Sequence, residues 1–378
     1  MSHRATLKNY AFQALTLAFL LIIFDAVRAD LYAEPRVAQA GEPEIFSRCW
    51  DYKLSPNLGI VPVVDSSAVY IVDSENNLLA IDPGNASRIW SSELGGEVVS
   101  NIILSDSSIL LATNSQTTES NSVRKTSLRS ISRATGITEW RVDIRSSDNA
   151  WIGTYPAAVI VVGEGGAISA LTRLEGRIIW QRDIASPVTA EPRFGRSGVV
   201  LGNQNKEILN VSLTDGSSRQ LWKSEFLPTA LLVDASGRLV VGDERGSVIA
   251  ISADGDRSWT FRNGARISSV LLDGSDYLAS SNDNFIYKLS RSGNVKWKRR
   301  LPGRLTQAPL LLNDVAVMSV AGGGGVFVIT QSKGKILNHI EIAEEVSSNV
   351  AASPDSKNMI IASPSGVAFF SREKCPAK

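Results

Sequence analysis

From residue 45 onward, short β-branched runs alternate with clusters of turn-forming residues, and the alternation recurs. Val69-Tyr-Ile-Val72 and Val159-Ile-Val-Val162 are two such runs. Each turns through Gly, Asn, Asp or Ser into another apolar run, as Gly163-Glu-Gly-Gly166 leads into Ala167-Ile-Ser-Ala-Leu171. Short β-branched segments bounded by turn residues predict strands. A further strand is marked by tryptophan. Trp50, Trp90, Trp140, Trp180, Trp222, Trp259 and Trp297 follow one another at gaps of 40, 50, 40, 42, 37 and 38 residues. Three strands and one tryptophan strand make a four-stranded unit. Self-similarity near 40 residues with strand-like segments predicts a propeller of four-stranded blades.

The tryptophans share a local frame. One unit reads Ala80-Ile-Asp82-Pro-Gly-Asn85-Ala86-Ser-Arg-Ile-Trp90, and the next Ser130-Ile-Ser132-Arg-Ala-Thr135-Gly136-Ile-Thr-Glu-Trp140. A third reads Ala170-Leu-Thr172-Arg-Leu-Glu175-Gly176-Arg-Ile-Ile-Trp180. A small residue ends one strand. A polar residue and a Gly-bearing turn follow, as hairpin chemistry requires. An apolar residue stands four positions after most of the tryptophans: Leu54, Leu94, Ile144, Ile184, Phe226 and Leu301. The copies at Trp222 and Trp259 differ in turn length. One copy, Gly334-Lys-Ile-Leu-Asn338, keeps the spacing but carries Asn where Trp should be, with Ile342 four later.

This frame resembles the repeat of PQQ-like (quinoprotein-type) β-propellers over nearly the whole chain after residue 45. The resemblance implies that the seven tryptophans dock neighbouring blades. Trp90 to Asn338 end seven units. Two pieces remain: the strand around Trp50, with nothing before it, and three strands from about residue 350 to 370. Joined, they complete an all-β, eight-bladed propeller of antiparallel blades, the last closed by the N- and C-terminal strands. Such closure removes an open sheet edge. Cys49 and Cys375, the only cysteines, fall one in each half of this composite blade. In an exported chain they are expected to form a disulfide, the other reading being two free thiols. Cys375 falls where the turn would be rather than squarely opposite Cys49.

Export is expected from the N-terminus. Arg4 and Lys8 precede an apolar run from Ala11 to Phe24, and small-residue sites follow at Ala29 and Ala40. That is the layout of a signal peptide over residues 1–29, with cleavage as late as 40 as the variant and an uncleaved anchor as the alternative. Residues 30–44 read as a flexible lead-in and 45–378 as the propeller. The run is too short for an ordinary membrane span. Without residues 1–29 the chain holds 36 Lys and Arg against 37 Asp and Glu, which gives no bias toward nucleic acid.

Catalytic residues are scarce. His339 is the one histidine past the leader and reads as structural. There is no P-loop, dinucleotide fingerprint or metal-ligand spacing. Ser252-Ala-Asp254-Gly-Asp-Arg-Ser258-Trp259 is similar to a sialidase-type Asp-box but occurs once, with Asp256 where that motif has Gly. The quinoprotein resemblance raises a quinone-dependent enzyme as an alternative, yet no cofactor-ligand set maps onto this chain, and no cofactor is expected. Interaction surfaces are the leading expectation. Trp151, Tyr155 and Glu191 lie beside inner strands and would either reach the channel mouth or be solvated rim. Lys298, Arg299 and Arg300 belong to a basic stretch that would either meet an acidic partner or lipid headgroups, or protect a sheet edge. A polar insertion around Asn114 to Lys125 would carry binding or be tolerated. The chain therefore reads as an exported, monomeric, non-enzymatic scaffold for protein partners. Its layout resembles the outer-membrane-assembly members of the PQQ-like family. An extracytoplasmic sensor with an uncleaved anchor is the further alternative.

Overall fold

The computed structural model describes residues 45–115, 125–146, 149–305, 307–322, 324–342 and 349–375. The expected leader and lead-in, residues 1–44, lie outside the described residues, as does most of the polar insertion, 116–124. Eight antiparallel sheets form the blades of a propeller ring. Blades 1 to 7 run 63–93, 96–144, 150–183, 188–223, 228–262, 267–300 and 310–341. In each, the first strand is innermost and the last, which carries the tryptophan in all but blade 7, is outermost. Blade 2 splits its inner strand into Gly96–Val98 and Ile103–Ser105, both paired with Ser108–Ser115. Blade 8 joins Ser47–Tyr52 to Gly366–Ser371, Asn358–Ser363 and Asn349–Ala352.

The core lies between blades, face against face. Tyr70 and Leu78 of blade 1 pack with Ile109 and Ile131 of blade 2, and the same holds around the ring. Middle strands such as Val69–Val72 are therefore buried along their whole length, which is why they read as continuous apolar runs. Outer strands bury one face only.

Every outer strand carries a β-bulge immediately before its tryptophan position. The extra residues are Cys49, Ile89, Glu139, Ile179, Leu221, Ser258, Lys296 and Leu337. A bulge twists the strand and re-aims the next side chain. Here it turns the indole onto the third-to-fourth-strand turn of the following blade. Nε1 of Trp50, Trp90, Trp180, Trp259 and Trp297 donates to the carbonyl of Pro83, Arg133, Leu213, Arg291 and Gln331, at 2.8–3.1 Å. Under the rings of Trp90, Trp140, Trp180, Trp259 and Trp297 lie Gly136, Gly176, Gly216, Gly293 and Gly334, all at positive φ. A Cβ on any of them would fall 2.5–2.7 Å from a ring carbon.

Trp222 departs from this pattern. It pairs with Ile208, whereas Trp180 pairs with Ala170, two positions farther along the neighbouring strand. The turn before it is ordinary, with Gly216 N–H donating to Ser212 O. The two outer strands are equally long, six residues each, but bulge and tryptophan both lie two residues farther from the turn in blade 4. Arg219, paired with Asn210, holds the register that tryptophan holds elsewhere. The shortened turns are the next two, where Gly255 and Gly293 close onto Ser252 and Ser290. A Cβ at Gly255 would meet nothing within 4 Å. The pair gives a test. Gly176→Ala and Gly255→Ala share the left-handed penalty of about 1–2 kcal/mol. Only Gly176→Ala adds an overpacking cost of about 1–3 kcal/mol against Trp140. Urea midpoints should separate the two variants, and equal losses would show that the ring contact contributes nothing.

Asn338 has a structural reason. A tryptophan there would dock on the turn of blade 8, but that blade has none, because its third and fourth strands come from opposite ends of the chain. Asn338 Oδ1 instead accepts the backbone N–H of Ile45, where the N-terminal strand enters, at 3.1 Å. The disulfide Cys49–Cys375, with Cα atoms 5.3 Å apart, supplies the covalent link that the turn provides elsewhere. Cys49 is the bulge residue, unpaired in the ladder, which lets it reach a partner beyond the end of Gly366–Ser371.

Ion pairs add a second tie between blades. Arg133, Arg173, Arg291 and Arg372 each follow a blade's third strand and reach back to the preceding blade. Their partners are Asp65, Asp106, Asp234 and Asp314. Burial works against the charge on Asp65, yet hydrogen bonds from Ser67 and Ala68 and the Arg133 guanidinium hold its carboxyl below the usual value. The hydrogen bond from Arg173 does the same for Asp106.

Candidate interaction surfaces

The inner wall is stitched from blade to blade by side chains bonding to a neighbour's backbone. The Asn101 amide of blade 2 accepts from Ile152 N–H at 2.9 Å and donates to its carbonyl at 3.3 Å. Tyr155 Oη of blade 3 donates to Gly195 O of blade 4 at 3.1 Å. Arg193 Nε of blade 4 donates to Leu231 O of blade 5 at 2.5 Å, and Thr229 Oγ1 of blade 5 to Ile267 O of blade 6 at 2.6 Å.

Between blades 3 and 4 the inner strands Ala150–Thr154 and Val188–Gly195 meet at a glycine. A Cβ on Gly153 would lie 2.2 Å from Phe194 Cδ1, so only glycine admits that ring. Trp151, Tyr155 and Phe194 pack together on the apolar cluster between these blades. Burial pushes the Tyr155 phenol up to about 12, so it stays a neutral donor at physiological pH. Trp151 and Tyr155 thus shape the wall, and the exposed groups here are others. Thr154, Pro156 and Ala157 form one hairpin tip, and Gly195, Arg196 and Ser197 the tip beside it. Glu191 is exposed on a bulge, since Glu191 and Pro192 together face Leu201 alone. Proline is tolerated there because the bulge needs no ladder donor. The Glu191 carboxylate lies 3.4 Å from Arg193, whose own anchor is Leu231 O. This lip carries exposed polar groups and charges of both signs, suited to mixed polar contacts.

The structure separates these residues from the basic stretch, which lies on the outer edge of blade 6. Lys298 Nζ sits 5.2 Å over the Phe285 ring, Arg299 Nε donates to Gly334 O at 2.7 Å, and Arg300 is exposed. The stretch holds no acid of its own, but the preceding hairpin supplies two. Lys288 is buried 2.7 Å from Asp273, and Lys296 meets Asp276 at 2.7 Å. His339 is a packing residue, stacked on Phe327 with centroids 4.3 Å apart and bonded through Nε2 to Gly324 O. Among the described residues no three His, Cys, Asp or Glu side chains gather as metal ligands, and no helix is long and apolar enough to cross a membrane.

The bulge-directed indole docking and the composite eighth blade define a PQQ-like propeller. The chain belongs to the family described as outer membrane protein assembly factor BamB, whose model matches residues 46–260 and 204–371. It is similar to the outer membrane protein assembly factor BamB of Yersinia pestis, 26% identical over 208 residues. That match spans half of this chain and about half of the relative's length. Among solved structures, BamB from Moraxella catarrhalis superposes with a TM-score of 0.64 at 16% identity, covering 88% of this chain and 98% of that one. Quinohemoprotein alcohol dehydrogenase from Comamonas testosteroni also gives 0.64, at 11% identity, covering 92% and 80%. At these identities the two structures speak for the fold alone.

Proposed function

We propose that the protein is an exported, non-enzymatic scaffold that holds protein partners during outer-membrane protein assembly, as a monomer and without a cofactor. The observation that carries this reading is the family match, which extends over all eight blades from residue 46 to 371. The lip of blades 3 and 4 is the surface we assign to the partner, because Glu191, Arg196 and the two hairpin tips are exposed on a wall that the stitches make rigid. Rigid scaffolds with exposed polar loops suit binding without chemistry. The test is a crosslinking pull-down of the tagged full-length chain from its native compartment, with Glu191→Lys beside it. Recovery of an outer-membrane assembly complex by the wild type, reduced in the variant, is the expected result. Recovery of other partners without that complex would overturn the reading.

A further inference from the structure

The outer edges of the ring differ in sign. In blades 4, 5 and 6 the outer strands Ser218–Lys223, Arg257–Arg262 and Val295–Arg300 carry eight Lys and Arg and no Asp or Glu. Each of the other five outer strands carries at least one carboxylate. The switch is sharpest at one register position, opposite the first residue of the neighbouring strand. Glu93, Asp183 and Glu341 hold it in blades 1, 3 and 7. Lys223, Arg262 and Arg300 hold it in blades 4, 5 and 6.

Edge protection does not account for this. An edge strand is kept from pairing by charge of either sign, and four of the other five edges carry both. Internal pairing does not account for it either. Lys223 leans toward Glu207 at 3.4 Å and Lys296 toward Asp276, but Arg257, Arg262 and Arg300 are exposed and make no ion pair among the described residues. The outer strands of three consecutive blades therefore form a cationic belt, flanked by the exposed acids Asp254, Asp256 and Glu225 in the adjoining turns, on a chain whose overall charge is close to balance.

We propose that this belt is a docking surface for an acidic, extended polypeptide segment of a partner. Charge complementarity gives the sign, and the shape favours a polypeptide over a lipid surface. The belt curves around three-eighths of the ring wall, so a flat headgroup layer would touch one blade at a time, whereas a flexible chain can follow all three. Each of these strands is the outer edge of its sheet, with one side unpaired in the ladder, so a segment held by charge would also meet backbone donors and acceptors. This surface is separate from the lip of blades 3 and 4 and stands whatever that lip binds.

The test uses the full-length protein and a fluorescein-labelled dodecamer of glutamate, read by anisotropy at low and high salt. Wild type should bind, with affinity falling as salt rises. The triple variant Arg257→Glu, Arg262→Glu, Arg300→Glu should bind about tenfold more weakly or not at all. The variant with the same three residues changed to Gln guards against misfolding and should show a smaller loss in the same direction. Arg88→Glu, Arg141→Glu, Arg182→Glu changes net charge equally on other blades and should leave binding within about twofold. Equal losses in both Glu triples would reduce the effect to net charge and overturn the proposal. So would pelleting with phosphatidylglycerol vesicles that depends on the belt while the peptide stays unbound, which would assign the surface to lipid.

Discussion

Replacing Cys49 and Cys375 with serine is expected to lower the stability of the protein by about 3–5 kcal/mol without changing its fold. The bond spans 326 residues of sequence, nearly the whole propeller. Chain entropy for so long a loop sets an upper value of roughly 5–6 kcal/mol, and residual order in the unfolded chain reduces it. The ring should still close, because the ladder from Ser47 to Tyr52 remains and Trp50 stays stacked on Phe369, with centroids 4.9 Å apart. The serine variant should therefore keep its far-ultraviolet spectrum and lose about 4–7 °C in thermal midpoint. Wild type in reductant should show the same shift, and either single serine variant should match the double. An unchanged midpoint would mean that the ladder and Asn338 alone hold the termini together.

Much of this was legible in the sequence because one large residue recurs at one register. A tryptophan after a Gly-bearing turn needs no knowledge of distant contacts to be counted, and the missing one at Asn338 was visible as a gap in the count. Its cause was not, since it depends on the N-terminal strand arriving beside blade 7. Trp222 shows how spacing misleads. The gap of 42 residues after Trp180 held the two-residue displacement, but turn and tryptophan each looked ordinary on their own. The inter-blade ion pairs were half visible. Arg133 and Arg173 occupy the same place in their frames, while Asp65 and Asp106 lie 68 and 67 residues upstream, in the preceding blade. The basic stretch around Lys296 read as a run without acids because Asp273 and Asp276 stand on another hairpin. Tyr155 read as a free aromatic near the channel, and its hydroxyl is taken up by Gly195 O. In each case the local pattern was readable and the partner, brought in by ring closure or by the next blade, was not.

Trp180→Ala should cost about 3–5 kcal/mol, the range for emptying a large aromatic from a core. Its side chain is nearly buried, packs on the cluster shared by blades 3 and 4, lies over Gly216, and donates to Leu213 O. Trp222→Ala should cost clearly less, about 1–2 kcal/mol, because that ring is half-buried and stands clear of the next blade's turn glycine. Trp180→Phe should fall between them, at about 2–3 kcal/mol, since it keeps most of the ring area but leaves Leu213 O without its donor. Urea midpoints order the three variants, and equal losses from the two alanine variants would mean that contact with the following turn does not set the strength of docking. The consequence reaches the lip. Blades 3 and 4 meet at Trp180 on the outside and at Tyr155 and Gly195 on the inside, with one packed cluster between. Loosening the outer contact frees the two sheets to shift against each other, so Trp180→Ala should weaken partner recovery in the crosslinking assay. Trp222→Ala, at the interface of blades 4 and 5, should leave that recovery largely intact.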